Sequence, residues 1–231
     1  MNDVLILCAT DTFEFKVILF LVLIASISIH EWAHAFAADK LGDPLPRAEG
    51  RVTLDPRAHI DPVGTILIPL IMIFLSPGIA IIGWGKPVRI SLPNPKTRRR
   101  DDLIITIAGP LSNLLIALGA TLFFAAWASF LPLNQSAEEL YMIIVLLNCV
   151  LFVFNLLPVP PLDGSHFLKH AIKMKEETYR NLAKYGFLIL IVLINIPQFQ
   201  LFMQFMVGSS SGIFLGIFEG LTQGESSITL N

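Results

Sequence analysis

The chain has 231 residues, of which 54% are hydrophobic and 15% are charged, and its formal net charge is −2. A soluble domain has about 25% charged residues, so this composition, together with several long apolar runs, excludes an ordinary soluble domain and indicates a polytopic membrane protein. The sequence contains no basic patch interleaved with aromatic residues, which argues against a nucleic-acid partner.

The first long apolar run, residues 13–38, predicts a membrane-spanning helix. At 1.5 Å per residue such a helix covers about 39 Å, which exceeds the hydrocarbon core of about 30 Å. The loop that follows, residues 39–61, is rich in glycine and proline and carries four lysine or arginine residues, so the positive-inside rule places it in the cytoplasm.

The C-terminal third of this helix carries the pattern His-Glu-x-x-His, formed by His30, Glu31 and His34. Positions i and i+4 share one face of a helix, so both imidazoles can bind one ion. Glu31 stands where a carboxylate can take a proton from an attacking water, and the pattern indicates a zinc hydrolase. The alternative is a pair of histidines facing a polar seam, but ionisable groups inside a span are costly and usually mark function.

Residues 62–85 form a second apolar run, which either crosses the membrane or re-enters it. Basic residues flank the run on both sides, so a full crossing would place one basic loop outside. A break at Ser76-Pro77-Gly78 divides the run into a helical arm of about 22 Å and an extended arm of about 23 Å. These matched lengths favour a re-entrant hairpin made of a helix and an extended strand.

Residues 102–131 and 140–157 predict two further spans, joined by an acidic loop that belongs outside. Residues 182–206 predict another span, kinked at its proline. Residues 211–221 are too short to span and predict a short C-terminal helix at the interface. The two cysteines, Cys8 and Cys149, both lie in apolar surroundings and are predicted to pack as small hydrophobic side chains.

These elements predict an all-α polytopic membrane protein, a single domain over 1–231 with a bundle of about 4–6 transmembrane helices. The re-entrant hairpin is expected beside the active site. The topology places the site toward the cytoplasmic side of a cell (inner) membrane, and leaves the oligomeric state open.

A catalytic zinc site needs a third protein ligand and an open position for water. Asp163 is the first candidate because it follows a proline-rich stretch that ends the span at 157, on the same side as His30 and His34. His166, three residues later, is its competitor. His59 and His170 lie in loops or turns and are expected to be solvated or hydrogen-bonded histidines.

Several stretches together resemble the site-2 protease family of intramembrane zinc metalloproteases, peptidase family M50. They are HEWAH, GRVTLDPRAHIDPVGT, GWGKPV, AGPLSN and NLLPVPPLDG, and they cover most of residues 25–170. The pair HExxH and NxxPxPxLDG in a polytopic chain is the specific part of this resemblance. No segment resembling a PDZ or CBS domain is present, so the chain resembles the compact form of the family.

The resemblance implies one zinc ion held by His30, His34 and Asp163, with Glu31 as the general base. It also implies regulated cleavage of membrane-protein substrates in or near their transmembrane segments. Asn155 matches an asparagine that helps to hold the substrate carbonyl or its oxyanion, and Asn113 is a second polar candidate. For both asparagines, ordinary interhelical hydrogen bonding is the alternative.

The stretch Gly83-Trp84-Gly85 matches a family loop of extended backbone beside the active site. A helical substrate must unwind before hydrolysis, and an exposed strand edge can bind the unwound segment. Two other functions are compatible with the ligands: an inactive membrane scaffold and a metal-binding or transport protein. Neither of these needs Glu31, and the enzyme does.

Overall fold

The computed structural model describes residues 12–75 and 83–223, and within these ranges the regular structure is helical throughout. The long helices are α1 (Phe13–Lys40), α4 (Arg98–Phe130), α5 (Gln135–Asn155) and α8 (Pro197–Gln223). The shorter ones are α2 (Leu45–Ala48), α3 (Ile68–Leu75), α6 (Gly164–Ala171) and α7 (Glu176–Ile194). Among the described residues, α1, α4, α5 and α8 are long and apolar enough to cross a membrane, which confirms the all-α membrane fold.

Helix α4 is the centre of the bundle, because it shares the largest interfaces with α1 on one side and α5 on the other. An apolar cluster joins α4, α5 and α8 through Phe124, Tyr141 and Phe214. Cys149 is a buried free thiol in this cluster, and it packs as a small hydrophobic side chain as predicted; Cys8 lies outside the described residues.

A second apolar cluster, formed by residues of α1, α3 and α5, packs the N-terminal half of α1 against the other two helices. The N-terminus of α1 is capped by Thr12, whose side chain accepts a hydrogen bond from the backbone N–H of Phe15 at 3.3 Å. After Lys40 the chain turns at Gly42, whose φ of +88° is readily available to glycine. The bundle therefore holds the motif-bearing end of α1 against α4.

The segment after α1 and α2 supports the re-entrant interpretation. The apolar helical arm Pro62–Leu75 is about 21 Å long, too short to cross the hydrocarbon core. The Trp84 backbone N–H donates to the Gly64 carbonyl at 3.1 Å, and the Thr65 hydroxyl donates to the Trp84 carbonyl at 2.7 Å. The chain thus returns beside its point of entry, whereas a full crossing would separate these residues. The predicted break at 76–78 lies outside the described residues.

The described part of the extended arm of this hairpin covers residues 83 to about 92, and it forms no β-ladder with the other described residues. The Lys86 N–H donates to the His59 carbonyl at 2.8 Å. Asp43 accepts hydrogen bonds from the Ser91 hydroxyl at 2.6 Å and the Leu92 N–H at 3.0 Å. Burial acts to raise the pKa of Asp43, but these bonds outweigh burial and hold the pKa below its usual value.

The C-terminal third differs from the prediction of one kinked span at 182–206 followed by a short helix at 211–221. Helix α7 ends at Ile194, and Pro197 starts the separate helix α8, which continues to Gln223. Proline lacks an N–H and fixes φ, so it suits the first turn of a new helix better than the interior of an old one. The boundary is therefore a break, and the predicted short helix is the second half of α8.

Candidate metal centre

The two motif histidines on α1 are buried and are held by α4 through their Nδ1 atoms. His30 Nδ1 lies 2.8 Å from Asn113 Oδ1, and His34 Nδ1 lies 2.7 Å from the Ile105 carbonyl oxygen. Both partners are oxygens that accept, so each Nδ1–H donates and each Nε2 carries its lone pair. The two Nε2 atoms lie 3.1 Å apart. Two lone pairs at this separation repel each other unless a cation lies between them.

Asp163 brings a third oxygen atom to the same point. Its Oδ2 lies 3.1 Å from His30 Nε2 and 3.3 Å from His34 Nε2. This oxygen is buried and has no hydrogen-bond donor among the described residues. Three buried acceptor atoms without a proton between them are the ligand set that a divalent cation satisfies, and within the described residues these side chains form the group able to hold a metal. The residues present therefore fit a zinc ion.

The turn that carries Asp163 packs tightly on the end of α5. A Cβ on Gly164 would lie 2.1 Å from the Leu156 carbonyl oxygen, so only glycine permits this approach. Pro158, Pro160 and Pro161 stop α5 from continuing and leave Asp163 immediately before α6. The proline-rich sequence thus positions the carboxylate at the level of the α1 histidines, as predicted.

His166 is brought to a different partner. Its Nδ1 lies 3.2 Å from both carboxylate oxygens of Asp102, at the start of α4, and His170 Nε2 lies 2.6 Å from Asp102 Oδ2. His59 is fully buried and its Nε2 lies 2.8 Å from the Thr53 carbonyl oxygen, so it is a hydrogen-bonded structural histidine. Sequence reasoning missed Asp102, because a carboxylate beside an arginine cluster is typical of a solvated surface.

Glu31 lies on the same cavity as the three candidate ligands. Arg51, which is 3% exposed, places a guanidinium nitrogen 3.8 Å from the Glu31 carboxylate as an ion pair, and the same nitrogen donates a hydrogen bond to the Lys86 carbonyl. A Cβ on Gly85 would lie 2.6 Å from Glu31 Cγ. The extended arm can therefore pass directly against the Glu31 side chain, and Arg51 connects the two.

The two predicted asparagines occupy different positions. Asn113 is fully buried and bonds across helices, to His30 through Oδ1 and to Asn148 through Nδ2 at 3.0 Å. It orients a histidine and does not face the cavity. Asn155 lines the cavity, and its Nδ2 donates to the Leu151 carbonyl of its own helix at 2.9 Å. One N–H and the carbonyl oxygen of the Asn155 amide remain for another partner.

The cavity that contains these groups has a volume of about 650 Å³. Its polar lining includes the candidate ligands and Glu31, and its apolar lining includes five side chains from α1, α5, α7 and the extended arm. These apolar contributors are Ile27, Trp84, Phe154, Phe187 and Leu190. The volume suits a stretch of extended peptide more than a single small ion.

Gly109 on α4 faces the two candidate histidine ligands. A Cβ there would lie 2.3 Å from His34 Nε2 and 2.6 Å from His30 Nε2. We expect Gly109→Ala to displace both imidazoles and to lower zinc affinity by about 10- to 100-fold, the range seen when groups that orient metal ligands are altered. Competition with a fluorescent zinc chelator measures the change.

Gly119→Ala is the matched control for this variant, because Gly119 lies on the same helix and a Cβ there meets no atom within 4 Å. It should keep the zinc affinity of the wild type. Equal affinities for all three proteins would show that the metal does not lie between the two Nε2 atoms.

A multi-pass helical bundle with a His-Glu-x-x-His motif and a converging aspartate is a membrane-embedded zinc peptidase by class. Comparison with known proteins agrees. The model of the family described as "Peptidase family M50" matches residues 130–194. YwhC of Bacillus subtilis is 33% identical over 211 residues, which cover 89% of this chain and 92% of YwhC.

Two further relatives match over shorter regions. Rip2 of Mycolicibacterium smegmatis is 33% identical over 178 residues, or 74% of this chain and 64% of Rip2. A protein of Methanocaldococcus jannaschii is 28% identical over 161 residues, or 70% of this chain and 36% of its own length. YwhC and Rip2 are provisionally named zinc metalloproteases, and the third protein is named a zinc metalloprotease. No solved structure gives a significant match.

This chain belongs to peptidase family M50. It is a zinc-dependent metalloprotease and a multi-pass membrane protein, and both properties were predicted from the sequence.

Proposed function

We propose that this protein cleaves peptide bonds in or near transmembrane segments of membrane-protein substrates, and so performs regulated intramembrane proteolysis. In this proposal His30, His34 and Asp163 hold the zinc, Glu31 is the general base and Asn155 binds the substrate carbonyl. The observation that carries the proposal is the convergence of His30 Nε2, His34 Nε2 and Asp163 Oδ2 within one apolar helical bundle. Such a site can act only on a peptide that enters the bundle.

When bound, zinc supplies a Lewis acid that polarises the scissile carbonyl and lowers the pKa of the attacking water. Glu31 takes one proton from that water as its oxygen bonds to the carbonyl carbon. Glu31 then delivers the proton to the amide nitrogen, the C–N bond breaks, and the products are a carboxylic acid and an amine. Arg51, 3.8 Å from Glu31, stabilises the carboxylate form that accepts the proton.

The extended arm from Gly83 onwards supplies the binding surface for substrate in this proposal. A transmembrane helix has its carbonyls bonded internally, so the scissile bond becomes available only after local unwinding. The unwound segment can pair with the free backbone groups of an extended chain that passes against Glu31. In this proposal Asn155, which lines the cavity and has one N–H to spare, donates that N–H to the substrate carbonyl oxygen.

The proposed orientation puts the site toward the cytoplasmic side of the inner membrane. The loop at 41–61 carries three arginines and the cluster at 98–100 three more, whereas the junction of α4 and α5 at the opposite end of the bundle carries Glu138 and Glu139 and no lysine or arginine. The candidate ligands lie at the same end of the bundle as the basic segments, since Asp102 and Ile105 near the start of α4 contact α6 and α1 there. Water therefore enters from the cytoplasm.

Metal removal in a lipid bilayer tests the proposal. The wild type is reconstituted in liposomes with a single-span substrate, and zinc content and cleavage are measured together. We expect about one zinc per chain, loss of cleavage with a strong chelator, and recovery on adding zinc.

The matched control carries the sequence around the cleavage site in a water-soluble fusion protein that has no membrane-spanning segment. It should be cleaved poorly, because it does not enter the bundle from the bilayer. Preferential cleavage of the soluble fusion would overturn the intramembrane assignment while leaving the metalloprotease class intact.

A further inference from the structure

The extended arm is held to the rest of the protein at two points. At the first point, Trp84 and Lys86 each have both the backbone N–H and the carbonyl bonded, to the helical arm and to the loop before it. At the second point, the N–H groups of Ser91 and Leu92 donate to Asp43 at 2.5 Å and 3.0 Å. The stretch 87–90 runs between the two points.

The backbone along this part of the arm has unused hydrogen-bonding groups. The N–H groups of Gly85, Val88 and Ile90 make no hydrogen bond to any residue that the structure describes. All three residues line the cavity that contains Glu31, and Gly85 is buried. Buried backbone groups in proteins are nearly always paired, so this edge of the arm is suited to receive another chain.

Asp43 is built as an anchor for the far end of the arm. It is 2% exposed, and its Oδ2 accepts the two backbone bonds from Ser91 and Leu92. Its Oδ1 accepts from the Ser91 hydroxyl at 2.6 Å and from the Leu45 N–H at 3.0 Å. Burying a carboxylate is costly unless hydrogen bonds compensate, and here most of the compensating donors belong to the arm.

The backbone at this anchor is in a conformation that the sequence does not favour. Leu92 has a φ of +47°, in the left-handed region that side chains with a Cβ rarely adopt. Its N–H is one of the donors to Asp43. Such a conformation persists where the surroundings enforce it, so Asp43 determines how the arm ends.

We propose that Asp43 is a positioning residue for substrate binding, which fixes the stretch 87–90 so that the free backbone groups between Gly85 and Ile90 can pair with an unwound substrate. This inference rests on the proposed function, and it identifies the second anchor of the binding surface. Arg51, which bonds the Lys86 carbonyl, belongs to the first anchor.

The position of Asp43 determines which step of the reaction it affects. Its hydrogen bonds go to the arm and to Leu45, and none goes to Glu31 or to a candidate zinc ligand. Loss of the anchor therefore weakens pairing with the substrate and leaves the groups that act on the scissile bond in place. A change of this kind raises KM and leaves kcat nearly unchanged.

The experiment replaces Asp43 by Asn and measures cleavage of a single-span substrate in liposomes, zinc content and Tm. Both carboxylate oxygens accept from the arm, so the amide loses arm contacts whichever way it is oriented. We expect KM to rise about 10-fold, the effect of losing one or two charge-assisted hydrogen bonds, with kcat within about 3-fold of the wild type. Zinc content should be unchanged.

Two further variants make the result specific to the arm. Asp39→Asn is the matched control, because Asp39 lies at the same end of α1 and bonds Arg47 in the loop instead of the arm. It should keep the wild-type KM. Ser91→Ala removes one donor from the arm side and leaves the backbone bonds to Asp43, so KM should rise about 3-fold with Tm near that of the wild type. This variant carries the test if Asp43→Asn does not fold.

Substrates altered in the backbone add a measurement that a merely structural role would not change. Synthetic single-span substrates are methylated at one amide nitrogen at a time around the cleavage site, which removes one hydrogen-bond donor each. At positions that pair with the arm, methylation should raise KM for the wild type. The increase should be smaller for Asp43→Asn, because contacts to a displaced edge are already weakened.

Three outcomes would overturn the inference. The first is a wild-type KM in both Asp43→Asn and Ser91→Ala, which leaves the proposed function standing if the wild type still cleaves. The second is an equal effect of each methylation in the wild type and Asp43→Asn, which would make Asp43 a tie between the loop and the arm. The third is a zinc-loaded wild type that cleaves no membrane substrate, which would remove the proposed function as well.

Discussion

Replacing Glu31 by Gln is expected to leave zinc bound and to reduce cleavage by about 10²- to 10⁴-fold, the usual contribution of a general base. Glutamine keeps the size of the side chain, so the neighbouring Gly85 and Arg51 contacts can persist. It cannot accept a proton from water. His30, His34 and Asp163 are unchanged by the substitution and should still hold one zinc per chain.

The measurement is zinc content by elemental analysis and cleavage of a single-span substrate on the same sample. Glu138→Gln is the matched control, because Glu138 is exposed in the first turn of α5, at the end of that helix joined to the C-terminus of α4. It should have wild-type values for both readouts. Retained cleavage by Glu31→Gln would contradict the assignment of the base, and loss of zinc would give Glu31 a structural role at the metal centre instead.

Sequence reasoning predicted the first half of the candidate site because the spacing of residues in one helix determines which side chains share a face. His30 and His34 are separated by one turn, and the structure brings their Nε2 atoms to 3.1 Å. The prediction of Asp163 depended on a second kind of signal, the proline-rich end of a membrane span. The resemblance to the family favoured Asp163 over His166 as the third ligand. The structure places Asp163 at the histidines and turns His166 toward Asp102.

The supporting contacts could not be predicted because they depend on how helices far apart in sequence pack together. The Ile105 carbonyl accepts from His34 only because helix α4 bears against α1, and no sequence pattern marks a backbone carbonyl for such a role. Gly109 looks like an ordinary helix glycine before proline, yet the structure shows that the two imidazoles fill the space of its missing Cβ. Composition predicts that α4 is apolar, and packing determines which of its residues face the site.

The predicted helix boundaries in the C-terminal third were wrong for a related reason. Hydropathy is continuous from 182 to 206, so it does not distinguish a kink from a break. The helix ends at Ile194, and Asn195 donates from its side chain to the Ile191 carbonyl, which closes the last turn before Pro197 begins α8. The local hydrogen bonds at the end of α7 therefore set the boundary. Hydropathy averaged over residues 182–206 does not reveal such bonds.

Removing the third candidate ligand is expected to cause a large loss of both zinc affinity and cleavage. Asp163→Ala should lower zinc affinity by at least about 100-fold and abolish cleavage, because two neutral imidazoles remain where a catalytic zinc needs three protein ligands. His166 does not replace the lost carboxylate, since its Nδ1 is bonded to Asp102 and its ring packs against Tyr179. Zinc titration against a chelator of known affinity measures the loss.

Two further variants make the result specific to the metal centre. Asp55→Ala removes a partly exposed carboxylate that bonds Arg57 in a loop, and it should keep full zinc affinity and cleavage. Asp163→His supplies an imidazole in place of the carboxylate and should recover part of the zinc affinity, since histidine is a common zinc ligand. Wild-type zinc affinity in Asp163→Ala would contradict the proposed ligand set, and combining that change with His166→Gln would then show whether His166 holds the metal.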